Sequence, residues 1–228
     1  MELLNSADFW IGLVKIVWIN IILSGDNAVV IALAARSLPP QQQKQAIMFG
    51  SGAAVVLRIV LTIVAAKLLE LSFLQVVGGC LLLWIGYQLL TGGDEDEGES
   101  KGTGSMFAAI RTILIADLVM SLDNVIAVAA TAQGNMVLLI LGLAISIPLV
   151  IFGSTLMIKL MDRFPVIVTL GAALIGWVGG ETIVNDKLLH GFAEANPWLH
   201  YAAAAAGAVL VVVIGKWMQS RQQAQSQA

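Results

Sequence analysis

Ile22-Leu23-Ser24-Gly25-Asp26-Asn27-Ala28-Val29-Val30 carries a carboxylate and an amide through an otherwise apolar run, and Met120-Ser121-Leu122-Asp123-Asn124-Val125-Ile126 does the same a second time. What those groups mean depends on the solvent their neighbours define. The runs around them, residues 9–35 and 106–132, each exceed the roughly 20 residues that cross a hydrocarbon layer. Further runs at 46–66, 71–90, 136–158, 166–184 and 198–218 bring the expected number of spans to seven. The whole chain of 228 residues is 58% hydrophobic and 12% charged, with a mean hydropathy of +0.88. Soluble domains carry about 25% charged residues, so the composition is that of a protein embedded in lipid. The fold class expected is therefore all-α, a polytopic membrane protein.

Charge and cysteine usage remove other classes. A net charge of -3 and a pI near 5.3 leave no basic stripe for nucleic acid. Cys80 is the sole cysteine, which excludes an internal disulfide and a thiolate metal site, and its apolar setting predicts a small buried side chain. The first residues lack the basic region and cleavage site of a secretory signal, so the first apolar run is expected to stay in the protein. Basic residues near the span ends set the orientation. With the amino terminus outside, the inner side receives Arg36, Lys44, Lys101, Arg111, Lys159, Arg163, Lys216 and Arg221, and the outer side only Lys67 and Lys187. The expectation is amino terminus out and carboxyl terminus in, in the cytoplasmic (inner) cell membrane.

The two motifs belong to a longer repeat. Asp26 aligns with Asp123 at an offset of 97; Lys67-Leu68-Leu69-Glu70 aligns with Lys159-Leu160-Met161-Asp162 at 92; Trp84 to Gln88 aligns with Trp177 to Glu181 at 93. The difference falls in the segment 39–45, which has no counterpart in the short turn 133–135. Three spans thus repeat as three spans, and an odd number places the copies in opposite directions across the membrane. The organisation expected is a first three-helix repeat at 1–91, an acidic Gly-rich loop at 92–105, an inverted second repeat at 106–185, a loop and seventh helix at 186–218, and a polar, disordered tail at 219–228. Asp94, Glu95, Asp96, Glu97 and Glu99 read as a solvated linker, with metal sensing as the alternative.

Inside the spans lie Asp26, Asn27, Arg58, Asp117, Asp123, Asn124 and Glu181, with Asn20 and Gln88 as neutral partners. An aspartate at the bilayer centre costs roughly 2.5–3.5 kcal/mol, so these acids have to face one another, water or an ion. A buried network that only fixes helix packing is the alternative, but Arg58 alone cannot neutralise four acids. Asn20, Ser24 and Asn27 share one helix face at i, i+4 and i+7, as do Asp117, Ser121 and Asn124. Asp26 and Asp123 point about 100° away unless the helix breaks at the motif. Gly25 makes that break inexpensive in the first copy, whereas Leu122 occupies the place in the second. Carboxylate, amide and backbone oxygens without intramembrane His or Cys suit Mg²⁺, Ca²⁺ or Mn²⁺. Protons are expected to compete with the metal, since several carboxylates in one cavity cannot all ionise without a cation. Arg58 either holds an acidic ligand, fills the site when metal is absent, or pairs for structure.

Taken together, Ser24-Gly25-Asp26-Asn27-Ala28-Val29-Val30-Ile31-Ala32 and Ser121-Leu122-Asp123-Asn124-Val125-Ile126-Ala127 resemble the paired signatures of the TerC family of integral membrane proteins. The likeness covers spans one to six, and the compact seven-span length resembles the family's bacterial metal-transporter branch. It implies export of Mn²⁺ as the transported ion, with no prosthetic cofactor, and metal ligation by Asp26, Asn27, Asp117, Asp123, Asn124 and Glu181. Asn20, Ser24, Arg58, Gln88 and Ser121 are the expected supporting residues. The partners expected are a divalent cation (Ca²⁺ or another hard cation if not Mn²⁺), protons and the lipid bilayer, with homo-oligomerisation open. Three alternatives remain: export of a small organic cation or amino acid, metallation of exported proteins, and intramembrane aspartyl proteolysis. The last lacks the first glycine of the protease signature before Asp26.

Overall fold

In the computed structural model the described residues are 7–23, 25–68, 71, 73–91, 103–132 and 136–226. They are helical: α1 (Ala7–Leu23), α2 (Gly25–Ala35), α3 (Pro40–Leu68), α4 (Leu74–Thr91), α5 (Thr103–Ala132), α6 (Met136–Arg163), α7 (Val166–Val184), α8 (Lys187–Ala195) and α9 (Trp198–Ser226). Most of the acidic loop, residues 92–102, lies outside the described residues, so neither reading of it is addressed. Five described stretches are long and apolar enough to cross a membrane: Pro40–Thr62, Leu74–Thr91, Ile140–Arg163, Val166–Val184 and Trp198–Arg221. The stretches Phe9–Trp18 and Gly25–Ala35 are apolar but shorter. Large side chains such as Trp18, Val56, Phe152 and Leu170 cover the outside of the bundle, as lipid-facing surfaces require.

Three expectations are corrected. The tail does not leave the fold: α9 continues to Ser226, and Gln219 Nε2 donates to the Leu90 carbonyl at 2.6 Å while the Arg221 guanidinium stacks on Trp217. Gln, Arg and Ala are good helix formers, so the helix outlasts the apolar run. The segment before the last span is not a plain loop but contains α8, an amphipathic helix with Leu188 and Phe192 exposed on one side and Ala193 buried. Cys80 is exposed on α4 rather than buried, because Gly79 beside it takes the inward position.

Helix packing sorts the bundle into two groups. α7 packs most extensively on α9 and α4. α3 packs on α5, and α6 packs on α1 and α2. Contacts between the groups, through α4 with α5 and α2 with α7, are fewer. The first group depends on close backbone approach. A Cβ on Gly79 would lie 2.5 Å from the Gly179 carbonyl oxygen, and one on Gly176 would lie 2.6 Å from the Gly207 carbonyl oxygen. At Gly180 a Cβ would collide with the Ala203 carbonyl. These obstacles are backbone atoms, which cannot rotate away.

Gly180→Val is therefore expected to lower stability by about 1–3 kcal/mol or more through overpacking. Gly52→Ala, where nothing lies within 4 Å, is expected to be neutral or stabilising. Thermal unfolding in detergent compares the two, and equal midpoints would contradict the seam.

Candidate functional site

The site begins with the way the first apolar run is built. It is described as α1 and α2 on either side of Ser24, which lies outside the described residues, and Asp26 is in the first turn of α2. The Asn27 backbone N–H donates to Asp26 Oδ1 at 2.8 Å, satisfying one of the amides that a helix start leaves without an intrahelical acceptor. Asp26 is half-buried and Asn27 buried at 4% exposure. The second motif is different: α5 runs through Ser121–Asn124 as one helix. Leu122 is in mid-helix, while the break expected beside Gly25 falls on Ser24, outside the described residues.

Across from α2, α3 and α5 bring together Arg58, Asp117 and Ser121. Arg58 Nη2 donates to Asp117 Oδ1 at 2.6 Å, Arg58 Nε donates to Ser121 Oγ at 3.0 Å, and the Ser121 hydroxyl donates to Asp117 Oδ2 at 3.2 Å. All three residues are buried, at 5%, 6% and 0% exposure. Charge-assisted bonds of this length are the strong ones, and the triangle engages both Asp117 carboxylate oxygens. The Asp26 carboxylate lies within electrostatic range of both Arg58 and Asp117. Asp26, Arg58, Asp117 and Ser121 thus form one polar centre, with buried Asn27 next to Asp26.

The remaining expected residues fall elsewhere. Ser24 and the side chains of Asn20, Asp123 and Asn124 lie outside the described residues. Gln88 is half-buried on α4. Glu181 is not brought to the Arg58 centre. Gly179 and Gly180 face α4 and α9, and Glu181, next along α7, turns outward into an open groove of about 310 Å³. Trp177, Pro197, His200, Tyr201 and Ala204 line that groove with it. Among the described residues no three His, Cys, Asp or Glu side chains converge as a metal cluster.

Sequence reasoning missed Asp186. This residue is 1% exposed and caps α8, accepting from the Leu188 N–H at 2.9 Å. Its carboxylate also accepts from the N–H groups of Phe73, Gln75 and Val76 at 3.1, 3.1 and 3.3 Å. One side chain therefore joins the start of α4 to the start of α8. It also holds Phe73, whose φ of 68° is unfavourable for a residue with a Cβ. Burial raises the carboxyl pKa, but the four backbone donors outweigh it and keep the pKa below the ordinary value of 3.8. An Asp just before an apolar i, i+4 pair, Leu188 and Phe192, was the available signal.

Long apolar helices closed around a buried charged pair define a multi-pass helical integral membrane protein. The chain belongs to the integral membrane protein TerC family, whose model matches residues 5–223. It is similar to the membrane protein YjbE of Bacillus subtilis (strain 168), with 48% identity over 80% of this chain and 83% of that protein. It also resembles YceF of the same strain, at 24% identity over 97% of this chain and 89% of that protein. The inner membrane protein YoaE of Escherichia coli (strain K12) is 26% identical over 83% of this chain, which spans 40% of YoaE. No solved structure matches.

Asp186 gives a pH test with a definite sign. Because its folded pKa is depressed, its contribution is present above the unfolded value, about 3.9, and is lost as pH falls through the folded value. Asp186→Asn is expected to cost about 1–3 kcal/mol at neutral pH by leaving backbone donors poorly satisfied. The gap from wild type is expected to shrink below about pH 3.9. A gap that grew on acidification would contradict this assignment.

Proposed function

We propose that this protein exports a divalent metal cation, Mn²⁺ first among candidates, across the cytoplasmic membrane by proton-coupled alternating access. The supporting observation is the buried polar centre at the start of α2, where Asp26 lies within range of the Arg58–Asp117 pair. Two carboxylates deep in an apolar bundle, served by one cation, leave negative charge that a hard cation or a proton can balance. Helix starts inside a membrane also supply oriented backbone groups at polar cargo sites, as in other discontinuous-helix transporters.

In this reading Asp26, Asn27, Asp117, Asp123 and Asn124 supply oxygen ligands. Ser121 and Arg58 orient Asp117. Glu181 serves at a distance from that centre, offering a carboxylate in the groove with His200. The packing of each half's leading helices on the other half, α3 on α5 and α1 with α2 on α6, supports a pseudo-twofold pair of three-helix units. The family membership supports a membrane role, and the oxygen-only donor set supports a hard cation over zinc or copper.

Reconstituted vesicles loaded with Mn²⁺ test the reading. Wild type is expected to move Mn²⁺ faster under an imposed pH gradient. Asp117→Asn, which keeps the shape but removes a charge, is expected to lower the flux at least about tenfold, the effect of losing one strong electrostatic contact. Mn²⁺ flux indifferent to the gradient would remove proton coupling, and no flux of any divalent cation would remove the transport reading.

A further inference from the structure

The charged pair at the polar centre has a neutral counterpart in the other half of the chain. At the offset of 92 that aligns Lys67 with Lys159, Arg58 matches Val150; at the offset of 97 that aligns the motifs, Asp117 matches Asn20. The packing follows the same exchange, with α3 on α5 and α1 on α6. The alignment thus sets an arginine and an aspartate in one helix pair against a valine and an asparagine in the other. Burying two charges costs several kcal/mol per ion before their attraction is counted, so packing alone is a poor reason for the charged version.

The geometry of the pair gives a better one. Arg58 does not clamp Asp117 with two parallel bonds. One guanidinium nitrogen takes Asp117 Oδ1, another takes the Ser121 hydroxyl, and that hydroxyl closes on Asp117 Oδ2. Both carboxylate oxygens and the serine oxygen of the second motif are therefore engaged by the arginine or by the hydroxyl it holds. These are the donors a hard cation requires. The guanidinium faces this acid whenever Arg58 stays in place.

We infer that Arg58 is a tethered competitor for the cargo: its guanidinium holds the Asp117 and Ser121 oxygens while the site is empty, and the metal takes them only when Arg58 moves aside. Rather than a metal ligand, Arg58 is a positioning residue, and this assignment rests on the transport reading above. Asp26, already within electrostatic range of Arg58, is the alternative partner for the displaced guanidinium. The device has two consequences. It weakens cargo binding enough for release, and it lets the empty carrier return without an unpaired buried acid.

The test compares full-length wild type, Arg58→Gln and Arg58→Lys. Mn²⁺ binding is measured by calorimetry in detergent, and net Mn²⁺ efflux and Mn²⁺/Mn²⁺ exchange are measured in vesicles. Arg58→Gln is expected to bind Mn²⁺ at least about tenfold tighter, to keep exchange and to lose net efflux, because only the empty carrier's return needs the tethered charge. Arg58→Lys keeps the charge but not the fork, and is expected to bind a few-fold tighter with net efflux retained. Unchanged or weaker binding in Arg58→Gln, or equal loss of exchange and net efflux in a monodisperse protein, overturns the inference. Should Arg58→Gln aggregate, Arg58→Lys decides: affinity equal to wild type overturns it. A wild type that neither binds nor moves any divalent cation removes the transport reading instead, a result distinct from any of these.

Discussion

A guanidinium and a carboxylate 2.6 Å apart inside an apolar bundle place the tightest condition on this molecule. Neither charge survives in contact with lipid, so α3 and α5 must meet where Arg58 and Asp117 are, and the helices around them must close the space. Ser121 completes the closure, which gives the second motif a definite physical role: its serine carries the hydrogen bond between the two charges. The first motif meets the same centre by another route. Its aspartate sits at the start of a new helix, where backbone N–H groups meet the carboxylate before any ion does.

The rest of the bundle packs beside that centre as a second group of helices. α4, α7 and α9 are locked through glycines whose backbones approach one another, and Asp186 ties the start of α4 to the start of α8 through four N–H groups. The charged centre lies in the other group of helices, which meets the first across a sparser interface.

Much of this was legible in the residues, because a membrane constrains sequence strongly. The run 166–184 coincides with α7, and the two motifs marked the first and fourth runs as the places where polarity enters. The parts that escaped did so for physical reasons. Hydropathy cannot see helix ends made of good helix-forming polar residues, so α3 began earlier, at Pro40, and α9 ended later, at Ser226. It cannot see α8, whose apolar residues recur rather than run together. Asp186 escaped notice because burial by backbone donors leaves no mark in composition. Glu181 was grouped with the other acids because it follows a repeat alignment, yet its neighbours Gly179 and Gly180 take the packed positions and turn it toward His200. Alignment gives depth along a helix, whereas direction around it depends on which small residue lets a neighbour in.

The central claim is that the acids of the two motifs handle a divalent cation in the cell. Total intracellular manganese under manganese stress tests it most directly, in a host without its own exporter, for cells expressing wild type, Asp26→Ala or Asp123→Ala at matched membrane levels. The account predicts low manganese with wild type and accumulation close to the empty-vector level with either variant. Equal manganese in all three strains would contradict it.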